Sequence, residues 1–168
     1  MKKFYIFALC VVLAGTAFVV TGCGKKAAEK AAEKAIEKAT NGQANVDLGT
    51  NSVKVNTNAG SLQVGGNITL PSSFPSDVYV IDGTIKAAST VKEGEIYTVT
   101  IETSKTVAEA KVKYENELKN DGWTIALSMD YGTSASVGAK KGDRTVTVAI
   151  GESEGKTLVS LSVSKTVQ

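Results

Sequence analysis

The sequence predicts an α+β fold: an antiparallel sheet with the meander order β-β-α-β-β-β-β and one helix packed on one face. Two observations carry this prediction. After residue 78, apolar residues alternate with polar ones in short runs separated by glycine-containing turns, which is typical of half-buried antiparallel strands. Residues 106–121 instead repeat their apolar positions three and four apart, as one face of a helix does. A helical spacer and an Asn/Gly/Thr-rich linker precede this domain.

The first 22 residues contain the three parts of a secretory signal. Lys2 and Lys3 precede a long apolar run, and small residues follow it. The ending Val20-Thr21-Gly22-Cys23 resembles the lipobox of bacterial lipoproteins. This resemblance implies that residues 1–22 are a cleaved signal peptide and that Cys23 is lipidated. An uncleaved membrane-spanning anchor is the alternative, since the run lies at the short edge of the spanning range.

The cysteines and the signal together predict a compartment. Cys10 would leave with the signal and Cys23 would carry lipid, so the mature chain would contain no internal disulfide. The resemblance implies a lipid-anchored protein of the bacterial cell membrane or outer membrane, facing the periplasm or the cell surface. The first predicted partner is therefore the membrane itself.

Residues 23–42 are predicted to be a lipidated N-terminus followed by a helical spacer. They contain a Lys-Ala-Ala-Glu repeat of strong helix formers, and Ile36 is their only large apolar residue. Gly42 is suited to a left-handed helix cap. We favour a solvated stalk. Attraction of its lysines to anionic headgroups is an alternative, whereas a coiled coil lacks the large a and d residues that it requires.

Residues 43–73 contain short apolar pairs separated by Asn, Gly and Thr. The pairs are Val46/Leu48, Val53/Val55, Leu62/Val64 and Ile68/Leu70. Such pairs indicate very short strands joined by tight turns, but the low charge and the Asn/Gly content also fit a flexible linker. We favour a linker with short hairpins over an ordered subdomain. Pro71 and Pro75 then mark the boundary with the α+β domain, residues 74–168.

The predicted strands of this domain follow its alternating apolar positions. Trp123, Ile125, Leu127, Met129 and Tyr131 alternate without a break and predict one strand. The other predicted strands are 78–81 with 84–89, which are split by Asp82-Gly83 and count as one, and then 95–103, 135–139, 146–150 and 159–163.

The helix predicted over residues 106–121 has signals at both ends. Thr106 and Glu109 have the spacing of a capping box. Gly122 suits a left-handed stop, and the corresponding motif places Leu118 against Trp123. About 90 residues with one such helix can fold without disulfides.

Three segments of the domain recur together in a known group of proteins. They are Phe74-Pro75-x-Asp77-Val78, the helix end Gly122-Trp123, and Lys141-Gly142-Asp143-Arg144 before a Val/Thr strand. The combination resembles a family of small bacterial lipoproteins of uncharacterised function with the same signal, spacer and domain layout. It covers residues 71–165 and departs at Tyr79, where another proline is expected. The resemblance implies a periplasmic or cell-surface lipoprotein and no particular activity.

The composition excludes several chemistries. The chain has no histidine, which rules out histidine-bearing zinc sites and Ser-His-Asp triads. The net charge of +2 comes from the lysines of the signal, so no basic field points to nucleic acid. The carboxylate pairs Glu93/Glu95, Glu115/Glu117 and Glu152/Glu154 fall at predicted turns or on an exposed helix face. We therefore expect no enzyme, no cofactor and no metal site.

One charge cluster is a candidate ligand-binding site. Lys140, Lys141 and Arg144 surround a predicted hairpin tip, where they could bind phosphate, sulfate or carboxylate groups of an envelope polymer. A soluble turn that protects the sheet edge is the alternative interpretation, and we favour it.

Two functional classes remain. We expect a non-catalytic binding or interaction domain that touches cell-wall polymer or an envelope protein. It would use the sheet face opposite the helix, which is rich in hydroxyls. The predicted residues of that face are Thr98, Thr100, Thr124, Ser128, Thr145 and Thr147. The alternative is an accessory subunit or inhibitor of an envelope enzyme or secretion machine.

Overall fold

The computed structural model of the protein describes residues 25–49, 51–91 and 96–165. The predicted signal and its lipidation site Cys23 lie outside these ranges, as does the carboxylate pair Glu93/Glu95.

The described residues form one antiparallel sheet of nine strands and two helices. The helices are α1 (Lys25–Ala39) and α2 (Val107–Asn120). The strands are β1 (Ala44–Leu48), β2 (Ser52–Thr57), β3 (Gly60–Gly65), β4 (Thr84–Val91), β5 (Ile96–Thr103), β6 (Thr124–Asp130), β7 (Ser134–Lys141), β8 (Arg144–Ser153) and β9 (Lys156–Lys165). Within the described ranges, neither helix has the length and apolarity needed to cross a bilayer.

The predicted fold class, a six-stranded α+β meander with one helix, is wrong. The strand order is β1-β2-β3-β4-β5-β9-β8-β7-β6, so the last strand lies in the middle and the chain folds back from β6 to β9. The predicted linker forms β1, β2 and β3, and β3 pairs with β4. The sheet therefore continues across the predicted boundary at residues 73 and 74.

The short apolar pairs form strands because they meet in register. Val55 pairs with Val46 on one side and with Leu62 on the other, which aligns the apolar side chains on one face. Glycine-containing or two-residue connections join these strands, and Thr57 pairs with Gly60 across such a turn. A single pair of apolar residues has too little to bury, whereas three aligned pairs form a continuous strip.

Helix α1 packs against β1 instead of projecting from the sheet. The Glu33 carboxylate accepts a hydrogen bond from the Leu48 backbone N–H at 2.8 Å, which covers part of the exposed edge of β1. Ile36 is half-buried. The left-handed residue after the helix is Asn41 (φ 52°), with Gly42 (φ 73°) following it.

Helix α2 lies on the inner face of the sheet, against β6, β7 and β8. Its buried residues are those of the predicted stripe: Val107, Ala110, Tyr114 and Leu118. The capping box of Thr106 and Glu109 is confirmed. So is the helix stop, because the Trp123 N–H donates to the Leu118 carbonyl at 2.8 Å and Gly122 has φ 82°.

The predicted strand at 78–81 is wrong, because these residues belong to an irregular segment that packs on the core. Val78 and Ile81 are buried, and the Ile81 N–H donates to the Tyr114 hydroxyl at 3.3 Å. The ring of Phe74 meets that of Tyr97 edge-on at 5.8 Å. Backbone groups of this segment thus find partners in side chains, those of Tyr114, Trp123 and Thr103, rather than in the backbone of a neighbouring strand.

The uninterrupted alternation predicted for β6 is also wrong. The register shifts between Ile125 and Leu127, which is a β-bulge. Ile125 lies inward against the core, whereas Leu127 and Met129 are exposed on the outer face. Ser128 is turned to the inner side, where its hydroxyl donates to the Glu115 carboxylate of α2.

Candidate functional site

An open groove of about 870 Å³ lies at the end of the sheet next to the N-terminus of α2. It is built where several elements begin or end: the start of β4, the end of β5, the first turn of α2 and the β8–β9 turn. Its lining includes Thr103, Lys105, Ala108, Glu152 and Thr157. Because these segments are distant in sequence, strand order alone brings them together.

Local sequence features shape the groove. Thr106 ends the loop after β5 and caps α2, which fixes the first helical turn at the rim. Gly83 lies against the end of β5, where a Cβ atom would collide with the Glu102 carbonyl oxygen. Glu154 and Gly155 both have positive φ in the tight turn between β8 and β9, on the opposite rim.

Two threonines form the floor of the groove. Thr103 and Thr157 are neighbours across β5 and β9, and they are 5% and 6% exposed. The Thr103 hydroxyl donates to the Asp82 carbonyl oxygen at 2.8 Å. Within the described residues, the Thr157 hydroxyl has no hydrogen-bond partner, and its oxygen is open to solvent in the groove.

Some of the charged residues that line the groove form ion pairs, and others do not. Glu102 forms ion pairs with Lys156 at 2.7 Å and with Lys86 at 3.1 Å. Hydrogen bonds from these lysines lower the pKa of the Glu102 carboxyl. Asp82, Lys105 and Glu152 also line the groove, and no ion pair joins them to another described residue. The described part of the chain holds no acidic cluster suited to a metal ion.

The structure gives two of the three predicted ligand-binding cations an internal partner at the opposite end of α2. Arg144 donates two hydrogen bonds to the Asp77 carboxylate, at 2.8 and 2.6 Å, and Lys141 donates a third at 2.8 Å. Both cations lie near the ring of Trp123, whose Nε1–H donates to the Asp77 carbonyl oxygen at 2.7 Å. We call Asp77, Trp123, Lys141 and Arg144 the Asp77 clasp. It unites the three recurring sequence segments in one contact.

The electrostatics of the clasp are those of a stabilised carboxylate. The two hydrogen bonds from Arg144, and then the one from Lys141, hold the pKa of Asp77 well below its usual range. In turn, the Asp77 carboxylate raises the pKa of Arg144. The clasp therefore ties the irregular segment before β4 to the β7–β8 hairpin and to the end of α2.

The remaining predicted site residues lie elsewhere. Lys140 is exposed on the outer side of β7, in register with Thr124. Thr98 and Thr147 share the outer face across β9, as predicted. Ser128 does not, because of the bulge in β6. Binding of a polymer by the three cations stays a prediction, with two of them already paired to Asp77.

Sequence reasoning missed the groove. Thr103 and Thr157 occupy the positions that continue the inward apolar series of β5 and β9, and the sequence analysis did not single out either residue. A polar residue at an inward position near a strand end is the signal that could have found them.

A family model described as START domain-like matches residues 85–156. The matched stretch is less than half of the chain, and it contains α2 and most of the groove lining. The match favours a ligand-binding domain. It therefore agrees with the prediction of a binding domain, without identifying a ligand. The packing of one long antiparallel sheet on α2 also agrees with a helix-grip fold. No curated protein and no solved structure matches the chain.

Proposed function

We propose that this protein is a membrane-anchored bacterial lipoprotein whose domain binds a ligand without catalysis in the cell envelope. The observation that carries the binding function is the START domain-like match over residues 85–156. The anchor rests on the lipobox resemblance at Cys23, which would place the domain at the cell membrane or outer membrane. Its partners would be the membrane and a cell-wall polymer or an envelope protein.

The groove is the part of the described structure best suited to the ligand. The space between α2 and the sheet is filled by side chains, and Tyr114 and Leu118 are fully buried there. The groove, in contrast, is open to solvent and combines hydroxyls, backbone groups and charges of both signs. Such mixed polar groups orient a bound molecule and give specificity.

A non-catalytic role is supported by the state of the carboxylates. Glu102 is held by two lysines, and Glu115 of the predicted pair Glu115/Glu117 accepts hydrogen bonds from Lys111 and Ser128. Hydrogen bonds lower the pKa of both carboxyls, whereas a general acid needs a raised one.

Blocking the groove tests the binding function. Ala108 is an exposed groove residue in the first turn of α2, so Ala108→Trp should fill the groove without disturbing the core. Lys119→Trp, on an exposed position of the last turn, is the matched control. We expect wall fragments to co-sediment with wild type and with Lys119→Trp, and at least about tenfold less with Ala108→Trp. Equal retention by all three would contradict binding at the groove.

Metabolic labelling with palmitate tests the anchor. The wild-type chain should incorporate label and partition with membranes, and Cys23→Ala should do neither. Label that persists after this substitution would show that acylation occurs elsewhere.

A further inference from the structure

We propose that the part of the groove formed by the first turn of α2 and Thr157 binds an oxyanion of the ligand, either a carboxylate or a phosphate. This inference rests on the proposed binding function and specifies the chemistry of the ligand that the groove would take.

The first turn of α2 offers two unused donors. Thr106, Val107 and Ala108 line the groove. The Glu109 N–H donates to the Thr106 hydroxyl at 3.2 Å, and the Ala110 N–H begins the helical series at 2.9 Å. The N–H groups of Val107 and Ala108 have no acceptor among the described residues. Free N–H groups and the positive end of the helix dipole favour an anion.

Thr157 provides an independent observation. Its side chain is 6% exposed, faces inward at the groove floor, and has a hydroxyl without a partner in the described structure. Its neighbour Thr103 is equally buried, but its hydroxyl is satisfied by Asp82. The Thr157 hydroxyl is open to the groove, so it can donate a hydrogen bond to an oxygen of a ligand there.

The charges that line the groove limit the kind of anion. Lys105 supplies a positive charge next to the capped helix end, where the Glu109 carboxylate accepts from Thr106 and partly offsets it. The charge of Glu102 is offset by Lys86 and Lys156. Asp82 and Glu152 remain as negative charges on the lining. The groove therefore suits a single carboxylate or phosphate and disfavours a polyanion.

Titration of the full chain followed by amide NMR tests the inference. Inorganic phosphate and acetate are added separately, each against sodium chloride at matched ionic strength. We expect at least one of the two anions to give saturable shifts at the Val107 and Ala108 amides beyond those of chloride. The anion that binds more tightly, phosphate or acetate, distinguishes a phosphate-bearing from a carboxylate-bearing ligand.

Variants of the floor residue complete the test. Thr157→Val keeps the shape and removes the hydroxyl, and should weaken anion binding by about tenfold. Thr157→Ser retains the hydroxyl and should bind as wild type does. Thr147→Val, on the outer face, is the matched control and should change nothing.

Anion binding that is equal in wild type and Thr157→Val, or shifts no larger than those with chloride, would overturn the inference. The groove could then still retain wall fragments in an Ala108-dependent manner, and the proposed function would stand. If the anion binds as expected but Ala108→Trp retains wall fragments as wild type does, the oxyanion site stands and the proposed wall ligand fails.

Discussion

At the scale of single residues, two tyrosines in edge-to-face contact differ in how their hydroxyls are used. The rings of Tyr79 and Tyr114 are 5.3 Å apart and inclined at 72°. The Tyr114 hydroxyl accepts from the Ile81 N–H, whereas the buried Tyr79 hydroxyl has no partner within the described residues. Burial raises the pKa of both phenols, so each acts near neutral pH as an uncharged group.

This contrast predicts opposite effects of removing the two hydroxyls. Tyr114→Phe leaves the Ile81 N–H without its acceptor and should lower the free energy of unfolding by about 1–3 kcal/mol. Tyr79→Phe removes an unsatisfied group and should be neutral or stabilising by up to about 1 kcal/mol. Urea unfolding of both variants measures these changes. A larger loss in Tyr79→Phe than in Tyr114→Phe would contradict the assignment.

The Asp77 clasp predicts a dependence of stability on pH. Because the folded pKa of Asp77 is lowered, its contribution is complete above the unfolded pKa of about 4 and is lost as the pH falls towards the folded value. Wild type should therefore lose stability below about pH 4 more steeply than Asp77→Asn. At neutral pH, Asp77→Asn should cost about 1–3 kcal/mol, since it weakens bonds to two cations.

Asp143→Asn is the matched control for this experiment. Asp143 is exposed and lies 3.8 Å from Lys165, so its removal should change stability by less than about 1 kcal/mol. Identical acid profiles of wild type and Asp77→Asn, recorded by urea unfolding between pH 2 and 7, would refute the role of the clasp.

At the scale of elements, α2 is defined by local signals at both of its ends. The capping box and the left-handed stop depend on residues within five positions of each other, so the sequence was sufficient to predict them. The left-handed stop of α2 also places the Trp123 side chain in the core, where its Nε1–H donates to the Asp77 carbonyl oxygen. One residue thus joins a helix end to a segment that precedes it by more than forty positions.

Two substitutions separate the contributions of Trp123. Trp123→Ala should lower the free energy of unfolding by about 3–5 kcal/mol, as for other large truncations in a core. Trp123→Phe keeps most of the ring but loses the bond to Asp77, and should cost about 1–2 kcal/mol beyond any change in packing. Chemical denaturation measures both. A loss below about 1 kcal/mol in Trp123→Ala would place the indole on the surface.

Other elements could not be predicted, because their causes are not local. The bulge at Ile125 and Leu127 lets Ser128 face α2, a contact invisible in an unbroken alternation of apolar residues. Strands β1, β2 and β3 have too few apolar residues to be recognised singly and are strands because each pairs with the next. Thr157 belongs to the candidate site only because β9 lies beside β5.

At the scale of the whole molecule, one part of the sheet packs on the main hydrophobic core and the other part does not. The main hydrophobic core of the described structure draws its buried residues from the segment before β4, from β5, α2 and Trp123, and from β7, β8 and β9. Strands β1 to β3 contribute none to it, and Leu62 and Val64 on β3 remain exposed. Regions with fewer buried contacts open at lower free energy.

Amide hydrogen exchange should therefore be faster in the part of the sheet that lies off the core than in the part that lies over it. Amides of β2 and β3 should exchange at least about tenfold faster than those of β5, β8 and β9, which lie over the core. Exchange measured by NMR or mass spectrometry on the full chain resolves these strands. Uniform protection from β1 to β9 would mean that the sheet opens as a single unit.

The central position of β9 also bears on the order in which the polypeptide is made. β5 has β4 on one side and β9, the last strand, on the other. The Asp77 clasp likewise cannot form until Lys141 and Arg144 have been made, 64 and 67 residues after Asp77. A nascent chain thus lacks the β5–β9 pair until α2, β6, β7 and β8 have all been made. Until β9 is made, one edge of β5 has no partner strand and is open to pairing with another chain.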